Sequence, residues 1–61
     1  MHINHIIQWL VRIPGEAALS RHASEAEACK ACIVANFKEG GHLVCALHQN
    51  GDVTGPYFPL Q

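Results

Sequence analysis

Three cysteines and five histidines in a chain of 61 residues are the side chains best equipped for chemistry. Cys29-x-x-Cys32 has the spacing of a zinc-ligand pair, and His42, Cys45 and His48 follow closely enough to complete a tetrahedral set. Two features argue against zinc. Helical spacing sets Cys29 and Cys32 within a helix rather than a knuckle turn, and strand alternation aims Cys45 away from His42 and His48. Cys-His nucleophilic catalysis needs an exposed thiolate of low pKa, a positioned histidine and a third group to orient it. Glu16, Glu25, Glu27 and Glu39 read as surface and capping residues and Asp52 as part of a turn, so no carboxylate is placed for that role. Glycine-rich phosphate loops and paired catalytic carboxylates are missing from the sequence as well. The expectation is a non-enzymatic chain without a cofactor, whose thiols serve as small buried hydrophobes.

Other single residues read as structural. His5 falls on the apolar face of a first strand, where a hydrogen-bonded core or rim histidine is expected. Trp9, at the centre of that strand, is expected in the core. Tyr57 lies near the end of the chain, where an exposed aromatic either anchors an interface or caps a sheet edge.

The elements that must hold these residues follow from periodicity and turn chemistry. Residues 2–13, HINHIIQWLVRI, are rich in β-branched and aromatic types. Alternation sets Ile3, His5, Ile7, Trp9, Val11 and Ile13 on one face, and the other face is only half polar, as in a central strand. Pro14-Gly15 turns the chain, and residues 16–22 return as a second strand. A two-residue loop would set Leu10 opposite Leu19 and Trp9 opposite Ser20, whereas a bulge would bring Leu19 onto the Trp9 face.

Ser24-Glu25-Ala26-Glu27 is a capping box, and a helix is expected from there to about Lys38, ended by a left-handed glycine at Gly40-Gly41. Ala26, Cys29, Ile33 and Phe37, with Cys32 and Ala35 or Asn36 alongside, form its expected apolar stripe. Residues 42–48 alternate as a third strand, and Asn50-Gly51 is a strong hairpin signal. A loop of those two residues pairs His48 with Val53, Ala46 with Gly55 and Val44 with Tyr57 on one face. The other face then carries Leu43 with Phe58, Cys45 with Pro56 and Leu47 with Thr54, and this second set is expected to meet the helix. Pro56 and Pro59 confine the last strand to an edge, distorted or ending near Gly55, with residues 55–61 as an extended tail.

The fold class expected is therefore α+β: one domain over residues 1–61, a four-stranded antiparallel sheet in the order 2-1-3-4 (ββαββ), and one helix packed on one face. The helix covers only that face. His42, Val44, His48, Val53 and Tyr57 are expected on the other, free to bind a partner.

Composition narrows the partner. Hydrophobic residues make up 49% of the chain and charged residues 15%, so apolar surface is left over after a small core is built. Four Lys and Arg stand against five Asp and Glu, for a net charge of −1, and neither sign forms a run. A basic stripe for nucleic acid is absent, as is the dense acidity of a charge-based DNA mimic. No run approaches a membrane span, and the N-terminus lacks the marks of a signal peptide. An odd number of cysteines fits a reducing compartment, and the expected location is the cytoplasm.

Taken together, Trp9-Leu10-Val11-Arg12, Ala23-Ser24-Glu25-Ala26-Glu27-Ala28 and the Asn50-Gly51 hairpin give a pattern that resembles a group of very small proteins of bacteriophages and mobile elements. Several anti-CRISPR proteins, built as a twisted antiparallel sheet around one helix, belong to that group. The resemblance is one of pattern and covers most of the chain. It implies steric inhibition of a host protein complex, such as a CRISPR interference complex in a bacterial cytoplasm, with no catalytic residue to carry over. A homodimer built through the same free sheet face is the alternative expectation, because it too would cover leftover apolar surface.

Overall fold

The computed structural model describes residues 4–57. They form β1 (Ile6–Arg12), β2 (Ser20–His22), α1 (Glu25–Lys38), β3 (Leu43–His48) and β4 (Val53–Tyr57). The strands make one antiparallel sheet in the order β2-β1-β3-β4, and α1 packs against it, so the chain is α+β. The expected positions of His2, Ile3, Phe58 and Pro59 lie outside the described residues. Residues 55–57, expected to open an extended tail, instead belong to β4.

β2 is shorter than expected and pairs Trp9 with His22, Leu10 with Arg21 and Val11 with Ser20. This is two residues away from the register of a two-residue loop. Ser20 therefore stays on the Trp9 face, and Leu19 remains largely exposed. The helix starts where the capping box sets it. Ser24 is extended, and its hydroxyl accepts the Glu27 N–H at 3.2 Å. Glu25 and Glu27 in the first turn and Lys38 in the last complement the helix dipole. Beyond Glu39 the left-handed glycine is Gly41, with φ of 100°, and not Gly40.

The face that α1 covers is the opposite of the one expected. Val11 and Val44 on the sheet and Ala28, Cys32 and Ala35 on the helix form the buried core, flanked by Trp9, Cys29, Ala31 and Tyr57. The helix thus lies over Trp9, Val11, Val44 and Ala46, while Leu10, Leu43, Cys45 and Leu47 look the other way. Its phase differs too. Small residues meet the sheet, and Phe37, Val34 and Ile33 point to solvent. Small side chains let the helix axis approach the sheet closely, which Phe37 and Ile33 on that side would prevent.

Register explains a second correction. Gly51 N–H donates to His48 O at 2.9 Å and His48 N–H to Asp52 O at 2.8 Å, so the hairpin loop has three residues, Gln49-Asn50-Gly51. Gly51 takes the left-handed position, with φ of 94°, that such a loop requires. Val53 therefore pairs with Leu47 and Thr54 with Ala46. An extra residue in β4 at Gly55-Pro56 then restores the expected pair of Val44 with Tyr57. β4 is the distorted edge strand that its prolines require.

Candidate functional site

The five residues expected on a free sheet face do not share one. His42 and Val44 are buried beneath the helix, whereas Val53 lies on the opposite face and is exposed. His48 and Tyr57 lie on the helix side of the sheet, at the part of it nearest β4.

His42 is a structural clasp. The Asn36 carboxamide accepts the His42 backbone N–H at 2.8 Å and donates to the His42 carbonyl at 3.2 Å. The His42 Nδ1–H donates to the Glu39 carbonyl at 2.8 Å and lies 3.1 Å from Asn36 Oδ1. Two acceptors around Nδ1 fix the proton on that nitrogen. This network ties the end of α1 to the start of β3 and closes the Gly40-Gly41 connection.

His48 is held by a different network. Its Nδ1–H donates to the Asn4 carbonyl at 3.2 Å, so in the neutral ring Nε2 accepts the Thr54 hydroxyl at 2.7 Å. The Tyr57 hydroxyl lies 3.4 Å from Thr54 Oγ1, and the Tyr57 ring meets Trp9 edge-on, with centroids 5.1 Å apart. Tyr57 and Trp9 thus finish the edge of the core. His5, expected on an apolar face, is exposed.

The five zinc candidates are dispersed. The Cys32 thiol donates to the His42 carbonyl at 3.3 Å inside the core, whereas Cys45 sits on the far side of the sheet. No group of three or more His, Cys, Asp or Glu among the described residues is arranged to hold a metal ion. Burial raises the Cys29 thiol above its ordinary value, and Glu25 adds to the effect. Burial also raises Cys32, helped by the neighbouring Cys29 and Cys45 and opposed by the Asn36 hydrogen bond. Both shifts disfavour the thiolate form.

What the fold does assemble is a cationic apolar surface on the sheet face turned away from α1. Leu43, Leu47 and Val53 form its accessible aliphatic part, Leu10 and Cys45 on the same side are buried, and no described helix or strand lies over it. Gln8, Arg12 and Arg21 are its polar members, and Arg21 reaches back to the Gln8 carboxamide oxygen at 3.2 Å. Arg12 stands at a hollow of about 200 Å³ lined by Pro14, Leu43, Cys45, Val53 and Pro56. Its Nε is buried and finds no hydrogen-bond partner among the described residues. The terminal nitrogens of a guanidinium at the mouth of such a hollow are suited to a carboxylate, whereas the buried Nε is out of a partner's reach. No protein-family model, curated protein or solved structure matches this chain.

The alternation of β1 places Arg12 on its less apolar face and carries no signal of a role for it. Its significance depends on which face the helix covers. No helix among the described residues is long and apolar enough to cross a membrane.

Proposed function

We propose that this chain is a small non-enzymatic inhibitor of the phage type, which docks on a host protein complex and blocks it sterically, as anti-CRISPR proteins do. The observation that carries the reading is the far sheet face, where Arg12 lines a hollow among the apolar side chains of Pro14, Leu43, Val53 and Pro56. Such a surface suits a protein partner that offers a carboxylate set in an apolar patch, and not the phosphate backbone of nucleic acid, which calls for many more cations. Binding is the whole mechanism. His42 and His48 are engaged in structural hydrogen bonds and burial raises the Cys29 and Cys32 thiols, which fits a protein that acts by occupying a surface.

The test is expression of the chain in bacteria that carry an active CRISPR interference system and are challenged with a targeted phage. The expected result is restored plaquing with the native chain and its loss with Arg12→Glu, at unchanged circular dichroism. Plaquing that stays suppressed with the native chain across the main types of interference complex would overturn the anti-CRISPR reading. Full activity of a folded Arg12→Glu chain would move the docking site off this face.

A further inference from the structure

The outer face of α1 is an unexplained apolar surface of the described residues. Phe37 is 87% exposed, Val34 57% and Ile33 37%, beside Leu19 at 63%. Large apolar side chains grouped on a helix face turned to water mark an interaction surface. Here the sheet accounts for one side only.

Ala26, Lys30, Ile33 and Phe37 follow one another at intervals of four, three and four residues. That is the seam of a two-helix coil, whose period is about 3.5 residues. We infer that the outer face of α1 packs antiparallel against the same face of a second copy of this chain, about a two-fold axis between Lys30 and Ile33. In that arrangement Phe37 of each copy meets Ala26 of the other, and Lys30 meets Ile33.

Three features of the surface favour a second copy. The first is shape. A hollow of about 450 Å³ lined by Glu25, Ala26, Cys29, Lys30 and Ile33 occupies the N-terminal half of this face, and Phe37 projects from its C-terminal half. Large meets small at both ends of the pair, since the two-fold repeats the contact.

The second feature is charge. Glu27 and Lys38 lie on the same flank of the seam, one at each end of the helix. Antiparallel pairing brings Lys38 of one copy alongside Glu27 of the other, twice, and aligns the helix dipoles favourably. The third is orientation. A parallel pair would set Lys30 against Lys30 and Phe37 against Phe37, whereas the antiparallel pair lays the Lys30 stem on Ile33 and lets its ammonium reach water. The far sheet face lacks this property, because its charged members are Arg12 and Arg21, and two copies of it would repel.

Fourteen helical residues span roughly 20 Å, so the contact falls in the small size class and the association is weak. Sedimentation equilibrium of the full chain, from micromolar to about 1 mM, is the test. The expected weight-average mass rises from 6.7 kDa toward twice that value. Phe37→Glu is expected to remain monomeric at every concentration with its circular dichroism unchanged.

The single reversals Glu27→Lys and Lys38→Glu each set like charges face to face, and the expected loss of association is about threefold to tenfold, the scale of exposed ion pairs. The double reversal is expected to restore it. A native chain that stays at 6.7 kDa at the highest concentration, or a folded Phe37→Glu chain that associates like the native one, would overturn the inference. So would a double reversal as weak as either single change with helix content intact, because the charges would then not face each other.

Discussion

The two sides of α1 invert the usual distribution of size. Toward the sheet it presents Ala28, Cys32 and Ala35, each less than a tenth exposed, while its outer side carries Ile33, Val34 and Phe37. The inner side is chosen for close approach. The outer side holds the larger apolar payload and has no partner within the described residues. Burial of large apolar side chains is worth about 1.5–3 kcal/mol each, so the outer side holds stabilisation that folding of a single copy does not collect.

A similar contrast separates the two surfaces left to bind. The outer helix face bears Glu27 and Lys38 at opposite ends and is complementary to itself. The far sheet face bears Arg12 and Arg21 and is complementary to something acidic. On the readings proposed above, the first takes a second copy and the second a foreign protein, and a dimer would present two docking faces pointing outward.

Substitution can break the contrast between the two sides of the helix. Ala28→Leu adds bulk where the helix touches the sheet, and a loss of about 3 kcal/mol is expected in denaturant unfolding. Phe37→Ser adds polarity where the helix meets water, and a change within about 0.5 kcal/mol is expected at concentrations that keep the chain monomeric. Comparable losses from both would mean that the helix is rotated from the phase described.

Gly55 shapes the far sheet face. Its φ is 133°, and a Cβ there would stand 3.2 Å from the Val44 carbonyl oxygen. Gly55→Ala is expected to cost about 2 kcal/mol and to deform the hollow beside Arg12. Its amide exchange should accelerate across β4 first, and an unchanged melting temperature would contradict the assigned backbone.

The smallest expected effect is on pH dependence. Burial raises the Cys29 and Cys32 thiols above their ordinary value near 9. The unfolded chain therefore gives up these protons first. Their contribution to stability is fully present below the unfolded thiol pKa and is lost as pH rises through the folded values. Unfolding between pH 7 and 11 should show native stability falling above about pH 8.5, with the decline reduced in Cys32→Ala. An unchanged decline in that variant would show that Cys32 is not its source.

Much of the architecture was legible in the sequence because it rests on local chemistry. Ser24 announced the helix start, Asn50-Gly51 the last hairpin, and Pro56 the distorted edge. The phase of the helix was not legible. Ala26, Cys29, Ile33 and Phe37 lie at helical spacing, as do Ala28, Cys32 and Ala35, so periodicity offered two faces and only packing distance chose between them. The β3–β4 register turned on whether Gly51 closes a loop of two residues or three, a choice that moves Val53 from one face to the other. The place of His42 is hidden from the sequence for a related reason. Its clasp with Asn36 spans the Gly40-Gly41 connection, and only the folded chain brings the two together. Without the helix phase, neither Arg12 nor Phe37 could be recognised as the centre of a surface.

The division of labour between the two surfaces is tested most directly by isotope-filtered nuclear Overhauser spectroscopy on an equal mixture of labelled and unlabelled chain at millimolar concentration. The expected intermolecular contacts run from the Phe37 ring to the Ala26 methyl group and from the Lys30 side chain to Ile33. Contacts confined instead to Leu43, Leu47 and Val53 would make the sheet face the self-interface and contradict the account.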